Sequence, residues 1–378
     1  MSINPKDFCN ALQDNEIDFF AGVPDSLLKE FCIYLDKSIK KDQHIITANE
    51  GNAIALAAGY HLGTGKIPLV YMQNSGLGNA INPLLSLCDK EVYSIPMILL
   101  IGWRGEPGLK DEPQHKKQGK VQLALLDSME IDYFIVDKEA SNINEIVSKA
   151  ATTSKKENKP FVLLIKKNTF SKNQEAGINV NKLELMNRED VLEILINSLP
   201  ENIIIVSTTG KTSRELFEIR EKLDSNHSRD FLTVGSMGHC SSIALGIALS
   251  NSDKKIICID GDGALLMHLG SLSSIAAQKP KNFYHILINN EVHESVGGQE
   301  TAIKHIDILS IINANHYNIV NTVSSRSELL KSIGNFIDKS GPNFLEIKVK
   351  PGSRKDLGRP NISPINNKLD FMKYIKDN

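Results

Sequence analysis

Short apolar runs recur along this chain, most of them bounded by Gly, Pro, Asn or Asp, with longer amphipathic or small-residue segments between them. Residues 18–21, 45–47, 68–72, 97–101, 133–136 and 161–166 are such runs in the first half. Runs too short for a helix alternating with segments long enough for one predict βαβ units around a mainly parallel sheet. The rhythm stops in a polar stretch rich in Asn, Lys and Glu, then restarts with runs at 203–207, 231–234, 255–260, 283–289 and 344–349. The expected fold class is therefore α/β, with two doubly wound parallel-sheet domains at residues 1–170 and 188–350. Residues 171–187 read as a linker, and 351–378 as a basic tail punctuated by Pro and Gly. No short internal repeat relates the halves.

Composition narrows the function classes. With 43 Lys and Arg against 45 Asp and Glu, the formal charge of −2 points to neither nucleic acid nor an anionic membrane as partner. The longest apolar run, 95–101, is far too short to span a bilayer. Cys9, Cys32, Cys88, Cys240 and Cys258 are widely spaced and form no C-x-x-C pair. They read as reduced thiols in a cytoplasmic protein, and the first residues show no secretory signal pattern.

Ligands of open parallel sheets bind beyond the carboxyl ends of strands. Asp25, Glu50, Asn74, Ser75 and Arg104 fall at such ends in the first half, and Asp262 and Asn289-Asn290 in the second. The stretch Gly261-Asp262-Gly263 is the most constrained of these. Its glycines permit a tight turn and close approach of the backbone to a ligand. The helix that follows aims free N–H groups at the same spot, which suits an anion, yet Asp262 is an anion itself. A divalent cation resolves the conflict: Asp262 holds the metal and the metal holds a diphosphate. Mg²⁺ takes few protein oxygens and leaves positions for phosphate oxygens and water. A second oxygen ligand is expected from the Asn-Asn pair.

Gly261-Asp262-Gly263, then 25 residues, then Asn289-Asn290, resembles the signature of the thiamine-diphosphate-dependent enzymes. The resemblance implies a pyrimidine-binding and a pyrophosphate-binding domain, here with no room for a middle domain. It implies thiamine diphosphate and Mg²⁺ as cofactors, with the side chains of Asp262 and Asn290 and the carbonyl of Val292 as metal ligands. Glu50, in TANEGNAIALAAGY, matches the glutamate that hydrogen-bonds N1′ of the aminopyrimidine. Protonation there assists proton removal from the thiazolium. Met237 matches the apolar residue that bends the cofactor, and Gly235 the nearby carbonyl on the 4′-amine. In that family the two half-sites come from different subunits, so a homodimer or larger assembly with active sites at the interface is expected.

Four further stretches, AGVPDSLL, DEPQHKKQG, NNEVHESVGGQ and PGSRKDLGRP, resemble the phosphonopyruvate decarboxylases, with the sulfopyruvate decarboxylases as near kin. This implies conversion of 3-phosphonopyruvate to phosphonoacetaldehyde and CO₂, in phosphonate biosynthesis. Sulfopyruvate decarboxylation and a non-catalytic cofactor-binding module are the alternatives. A small anionic 2-oxo acid needs cationic partners. Arg104, Lys110, Lys116, Lys117, Arg354, Lys355 and Arg359 are available, and the tail around Arg354 is expected to close over the site. Asp25 and His115 match proton-transfer residues of related decarboxylases, although Gln114 stands where those enzymes have a second histidine. The glutamate they carry after the Asn pair is displaced: Val296 holds that offset, with Glu294 two residues earlier as a stand-in.

Overall fold

A computed structural model describes residues 2–172, 184–223 and 225–378; most of the expected linker, residues 173–183, lies outside the described residues. The chain divides into two compact units, Met1–Gly177 with Ser295–Gln299, and Ile178–Glu294 with Glu300–Asn378.

In the first unit, Phe20–Gly22 (β1), His44–Ile46 (β2), Leu69–Gln73 (β3), Met97–Gly102 (β4), Tyr133–Val136 (β5) and Pro160–Ile165 (β6) form one sheet in the order β2-β1-β3-β4-β6-β5. All of its pairings are parallel. The reason is legible in β4, whose residues are all buried. Ile98 and Leu100 enter one apolar core while Met97, Leu99 and Ile101 enter another. A strand apolar on both faces needs helices on both faces, which is the condition for a parallel sheet.

The second unit repeats the plan. Ile204–Ser207 (β7), Asp230–Leu232 (β8), Ile256–Gly261 (β9), Phe283–Asn289 (β10), Ile319–Val323 (β11) and Asn343–Lys348 (β12) run in the order β11-β12-β10-β9-β7-β8, again all parallel. Read from β8, this is the strand order of the first sheet. Two sequences with no visible repeat thus take one topology, because both bury the same pattern of doubly apolar strands. Each sheet has its switch point where the chain reverses direction across the sheet: between β1 and β3, and between β7 and β9.

The strand absent from the sequence reading is β11. It lies at a sheet edge, and Asn321 and Thr322 in its middle are exposed, so it lacks the apolar run that marks the others. The opposite edge, β8, is covered by the last helix, Pro364–Asp377. Asn367 accepts a hydrogen bond from Leu232 N–H (3.1 Å) and donates one to the Asp230 carbonyl (2.9 Å), so the tail satisfies edge groups of the strand. Among the described residues no helix is long and apolar enough to cross a membrane.

Candidate active site

At the switch point of the first sheet, Asp25 follows β1 and is fully buried. Gln73, the last residue of β3, donates to its Oδ1 at 2.6 Å, and Leu27 N–H donates to its Oδ2 at 3.0 Å. Burial pushes this carboxyl above its ordinary range, against those two hydrogen bonds and the charge of Arg104. The next residues of the same strand end reach the second acid. Glu50 opens the helix Glu50–Thr64, capped by Asn49, and is 5% exposed. Its Oε2 accepts from Asn79 Nδ2 at 2.8 Å. Its other oxygen lies so close to Gly76 that a Cβ there would sit 2.3 Å from it. Only a residue without a side chain lets the carboxylate lie against this backbone. The segment from Gln73 to Gly76 therefore carries contacts to both Asp25 and Glu50.

After β4 the chain places Arg104. Asn74 clamps its backbone, accepting from Arg104 N at 3.1 Å and donating to Arg104 O at 2.8 Å. The guanidinium makes a two-pronged contact with Asp111, Nε to Oδ2 at 2.8 Å and Nη2 to Oδ1 at 2.5 Å, and Nη1 donates to Ser26 Oγ at 2.8 Å. The hydrogen bond from Arg104, together with backbone N–H donors of Glu112 and Gly105, holds the Asp111 carboxyl well below the usual range. His115 is buried in the first turn of the helix Pro113–Ser128, four residues beyond Asp111. Lys110 is exposed on the same loop.

In the second unit, Asp262 begins a helix at the end of β9 and is 4% exposed. Thr301 donates to its Oδ2 at 2.5 Å. Burial raises its carboxyl to about 6, and the nearby charge of Glu291 works in the same direction. The Thr301 backbone N–H donates to the Glu291 carbonyl at 3.0 Å, which ties this corner to the Asn289-Asn290 turn. Gly263 locates two more side chains: a Cβ there would meet the His293 ring at 3.1 Å and Met237 Cε at 3.5 Å. Met237 thus lies at the Asp262 turn. Its loop begins at Gly235, whose N–H donates to Thr209 Oγ1 at 3.0 Å. Burial lowers the His293 imidazole to about 4, so it is neutral at pH 7.

The two asparagines differ. Asn289 donates to Glu346 Oε1 (2.7 Å) across to β12, whereas Asn290 donates to Glu294 Oε2 (2.9 Å) and accepts from Val292 N–H (3.1 Å). The Val292 carbonyl accepts from Glu294 N–H at 2.9 Å. Glu294 itself is ion-paired to Arg188 at 3.0 Å and to Lys211 at 2.7 Å. Burial opposes its ionisation, but Arg188 and Lys211 prevail and draw it down to about 2. It is a fixed carboxylate that orients Asn290. Against the expectation of a free proton-transfer group, Glu294 is engaged by Arg188, Lys211 and Asn290.

The tail also departs from expectation. Arg354 is engaged by Glu189 (2.9 Å), Glu218 and Asp356 (3.3 Å), all in its own unit. Arg214 donates to the carbonyls of Leu357 and Gly358, which latches the same segment to the helix Lys211–Lys222. Lys355 and Arg359 are exposed beside this latch. Arg354 spends its charge on carboxylates, so Arg354→Ala is expected to leave the KM for an anionic 2-oxo acid within about twofold. The same change lowers Tm slightly at most, since solvent screens exposed ion pairs. Steady-state kinetics beside a melting curve checks both.

Both half-sites match described families. Residues 6–131 match the N-terminal thiamine pyrophosphate binding domain of thiamine pyrophosphate enzymes, and residues 209–347 match the C-terminal one. Over 375 residues the chain is 31% identical to a phosphonopyruvate decarboxylase of Streptomyces viridochromogenes, spanning 94% of this chain and 90% of that one. The chain belongs to the thiamine pyrophosphate enzymes, among their decarboxylases. A phosphonopyruvate decarboxylase of Streptomyces hygroscopicus is 32% identical over 96% of this chain and 91% of its own length. A sulfopyruvate decarboxylase of Methanosarcina acetivorans is 28% identical over 95% and 94%.

The residues at the Asp262 corner fit a hard divalent cation bound to a diphosphate. A buried carboxylate whose immediate company is a hydroxyl, backbone N–H groups and another carboxylate has an unmet need for positive charge. Sequence reasoning did not find Gln73, Asn79, Asp111, Thr301 or His293. Asp111 and His293 stood inside stretches singled out for other residues, and Thr301 follows one of them by two positions.

Proposed function

We propose that this chain is a thiamine-diphosphate- and Mg²⁺-dependent decarboxylase that converts 3-phosphonopyruvate to phosphonoacetaldehyde and CO₂ in phosphonate biosynthesis. The observation that carries the reading is chemical. A buried acid at a helix start in one unit and a buried, cation-seeking carboxylate in the other are the two ends a thiamine diphosphate site requires. Thiamine diphosphate, when bound, supplies the electron sink that lets a 2-oxo acid lose its carboxylate. Glu50 holds a proton at the pyrimidine ring nitrogen. Asp262 and Asn290, with the carbonyl of Val292, hold the cation. Met237 would pack against the bound cofactor, and the Gly235 carbonyl would accept a hydrogen bond from its amine. Asp25, kept protonated to higher pH than an exposed carboxyl, returns a proton to the product, with His115 of the helix Pro113–Ser128 as its partner in that task.

Exposed apolar faces support a homodimer or larger assembly with half-sites completed by a second copy. Leu56 and Leu62 on the helix Glu50–Thr64 are 38% and 71% exposed, and Leu249 on the helix Cys240–Ser250 is 51% exposed. Both helices are rich in Ala, Leu, Ile and Gly around their circumference, a composition that belongs in an interior. The five cysteines are free and buried, which supports a cytoplasmic location. Sulfopyruvate is the second reading, favoured by the full-length similarity to the Methanosarcina acetivorans enzyme. A coupled assay of CO₂ release from phosphonopyruvate, sulfopyruvate and pyruvate tests the proposal. Phosphonopyruvate is expected to show the highest kcat/KM; higher values with sulfopyruvate reverse the assignment.

A further inference from the structure

The loop after β4 encloses a cavity of about 230 Å³ lined by Ser26, Trp103, Arg104, Lys110, Asp111 and Lys167, among others. At about 30 Å³ of liquid volume per water, it has room for a tri-oxygen head group with several waters. Ser26 and Leu27 on its wall are the immediate neighbours of Asp25, so the cavity adjoins the buried acid of the first unit.

The electrostatics of the walls are lopsided. Asp111 balances Arg104, and Lys166 balances Glu106 at 2.6 Å. Among the lining residues this leaves the surplus charge of Lys110 and Lys167. A guanidinium has five N–H groups, and the bonds to Asp111 and Ser26 use three, so Arg104 keeps two for a further acceptor. Asp111 receives two of the three bonds and two backbone N–H groups besides, at 2.8 Å each. It therefore locks the plane and direction of the guanidinium. A planar fork held in place beside two exposed ammonium groups matches a compact anion with several oxygens.

We propose that this cavity holds the anionic head group of the 2-oxo acid, with Arg104 as the fixed fork, Lys110 and Lys167 as flexible counter-charges, and Asp111 as the positioning residue for Arg104. The assignment rests on the decarboxylase reading and names its specificity site. Phosphonate and sulfonate share the tri-oxygen chemistry but differ in charge. A phosphonate carries a second negative charge for the two lysines to offset; a sulfonate carries one. The site therefore favours the phosphonate through Lys167 and Lys110, not through the fork.

Lys167 is exposed, so its replacement tests the site without threatening the fold. Lys167→Ala in the holoenzyme is expected to raise KM for phosphonopyruvate, relative to pyruvate, by roughly tenfold, the change that one charge-assisted hydrogen bond brings. The relative rise for sulfopyruvate is expected to be smaller, and Lys167→Arg restores most of the loss. Asp111→Asn is expected to raise the same KM ratio with a smaller change in kcat, the split a positioning role produces and a general loss of folding does not. Binding of methylphosphonate and methanesulfonate to the same proteins, followed by calorimetry, gives a readout independent of turnover. If wild type decarboxylates phosphonopyruvate while Lys167→Ala and Lys110→Ala keep both the KM ratio and methylphosphonate affinity, the cavity assignment falls and the decarboxylase reading stands. If methylphosphonate binds wild type, loses affinity in Lys167→Ala, and phosphonopyruvate is not turned over, the cavity stands and the substrate reading falls.

Discussion

Asp262→Asn is expected to cost roughly a thousandfold or more in activity while making the metal-free protein more stable at pH 7. The first effect follows from the cation. Its charge stabilisation is worth several kcal/mol, and each 1.36 kcal/mol is tenfold in rate. The second follows from the carboxyl, raised from 3.8 to about 6 chiefly by burial. Between those values the folded state binds the proton more tightly than the unfolded chain does. This contribution to stability is present below about 3.8 and lost as pH rises through about 6. At pH 7 the ionised group is penalised by roughly 2–3 kcal/mol at 1.36 kcal/mol per pH unit. Asparagine removes that penalty while its carbonyl still accepts the Thr301 hydroxyl. Melting curves with and without Mg²⁺ and thiamine diphosphate check the pair of effects. Wild type is expected to gain several degrees from the two ligands and Asp262→Asn almost nothing; equal gains would remove Asp262 from the metal site. Because the cation needs the ionised form, apparent Mg²⁺ affinity is expected to fall up to tenfold per pH unit below about 6.

Glu50→Gln carries the other large effect. Glutamine has the same shape, so it fits against Gly76 and still accepts from Asn79. What it cannot do is exchange a proton with the pyrimidine nitrogen. A lost general acid–base group costs roughly 10²–10⁴-fold in kcat. Half-saturation by thiamine diphosphate is expected to change only a few-fold, because the diphosphate site proposed above lies in the second unit. Titrating the cofactor against rate separates the two quantities. A variant that keeps kcat but fails to hold cofactor makes Glu50 a binding group alone.

The fold class was legible because its signal is redundant. Eleven strands announce themselves as apolar runs, and the alternation of Ile98 and Leu100 with Met97, Leu99 and Ile101 between two cores explains why such runs need helices on both sides. β11 escaped because half of an edge strand faces water, which removes the pattern. The residues proposed for the site were legible in kind rather than in partnership. Asp25, Glu50, Arg104 and Asp262 could be named from their places at strand ends. That Gln73 serves Asp25, Asp111 serves Arg104 and Thr301 serves Asp262 could not, since these partners lie up to 48 residues away and are ordinary polar residues in sequence. The basic tail misled for the same reason: Arg354 looks available until Glu189 and Glu218, more than a hundred residues earlier, are brought beside it.

The sequence alone determined the two α/β units and the thiamine pyrophosphate family, and it named the acids proposed for the site. Those depend on periodicity and on short motifs, whose physics acts within a few residues. Only the tertiary structure decided which charges remain for a ligand and which are consumed. Charge balance is a sum over neighbours in space, and folding chooses the neighbours: it sets Asp262 against the Thr301 hydroxyl and near Glu291, ties Glu294 and Arg354 to opposite charges, and leaves Lys110 and Lys167 facing a cavity.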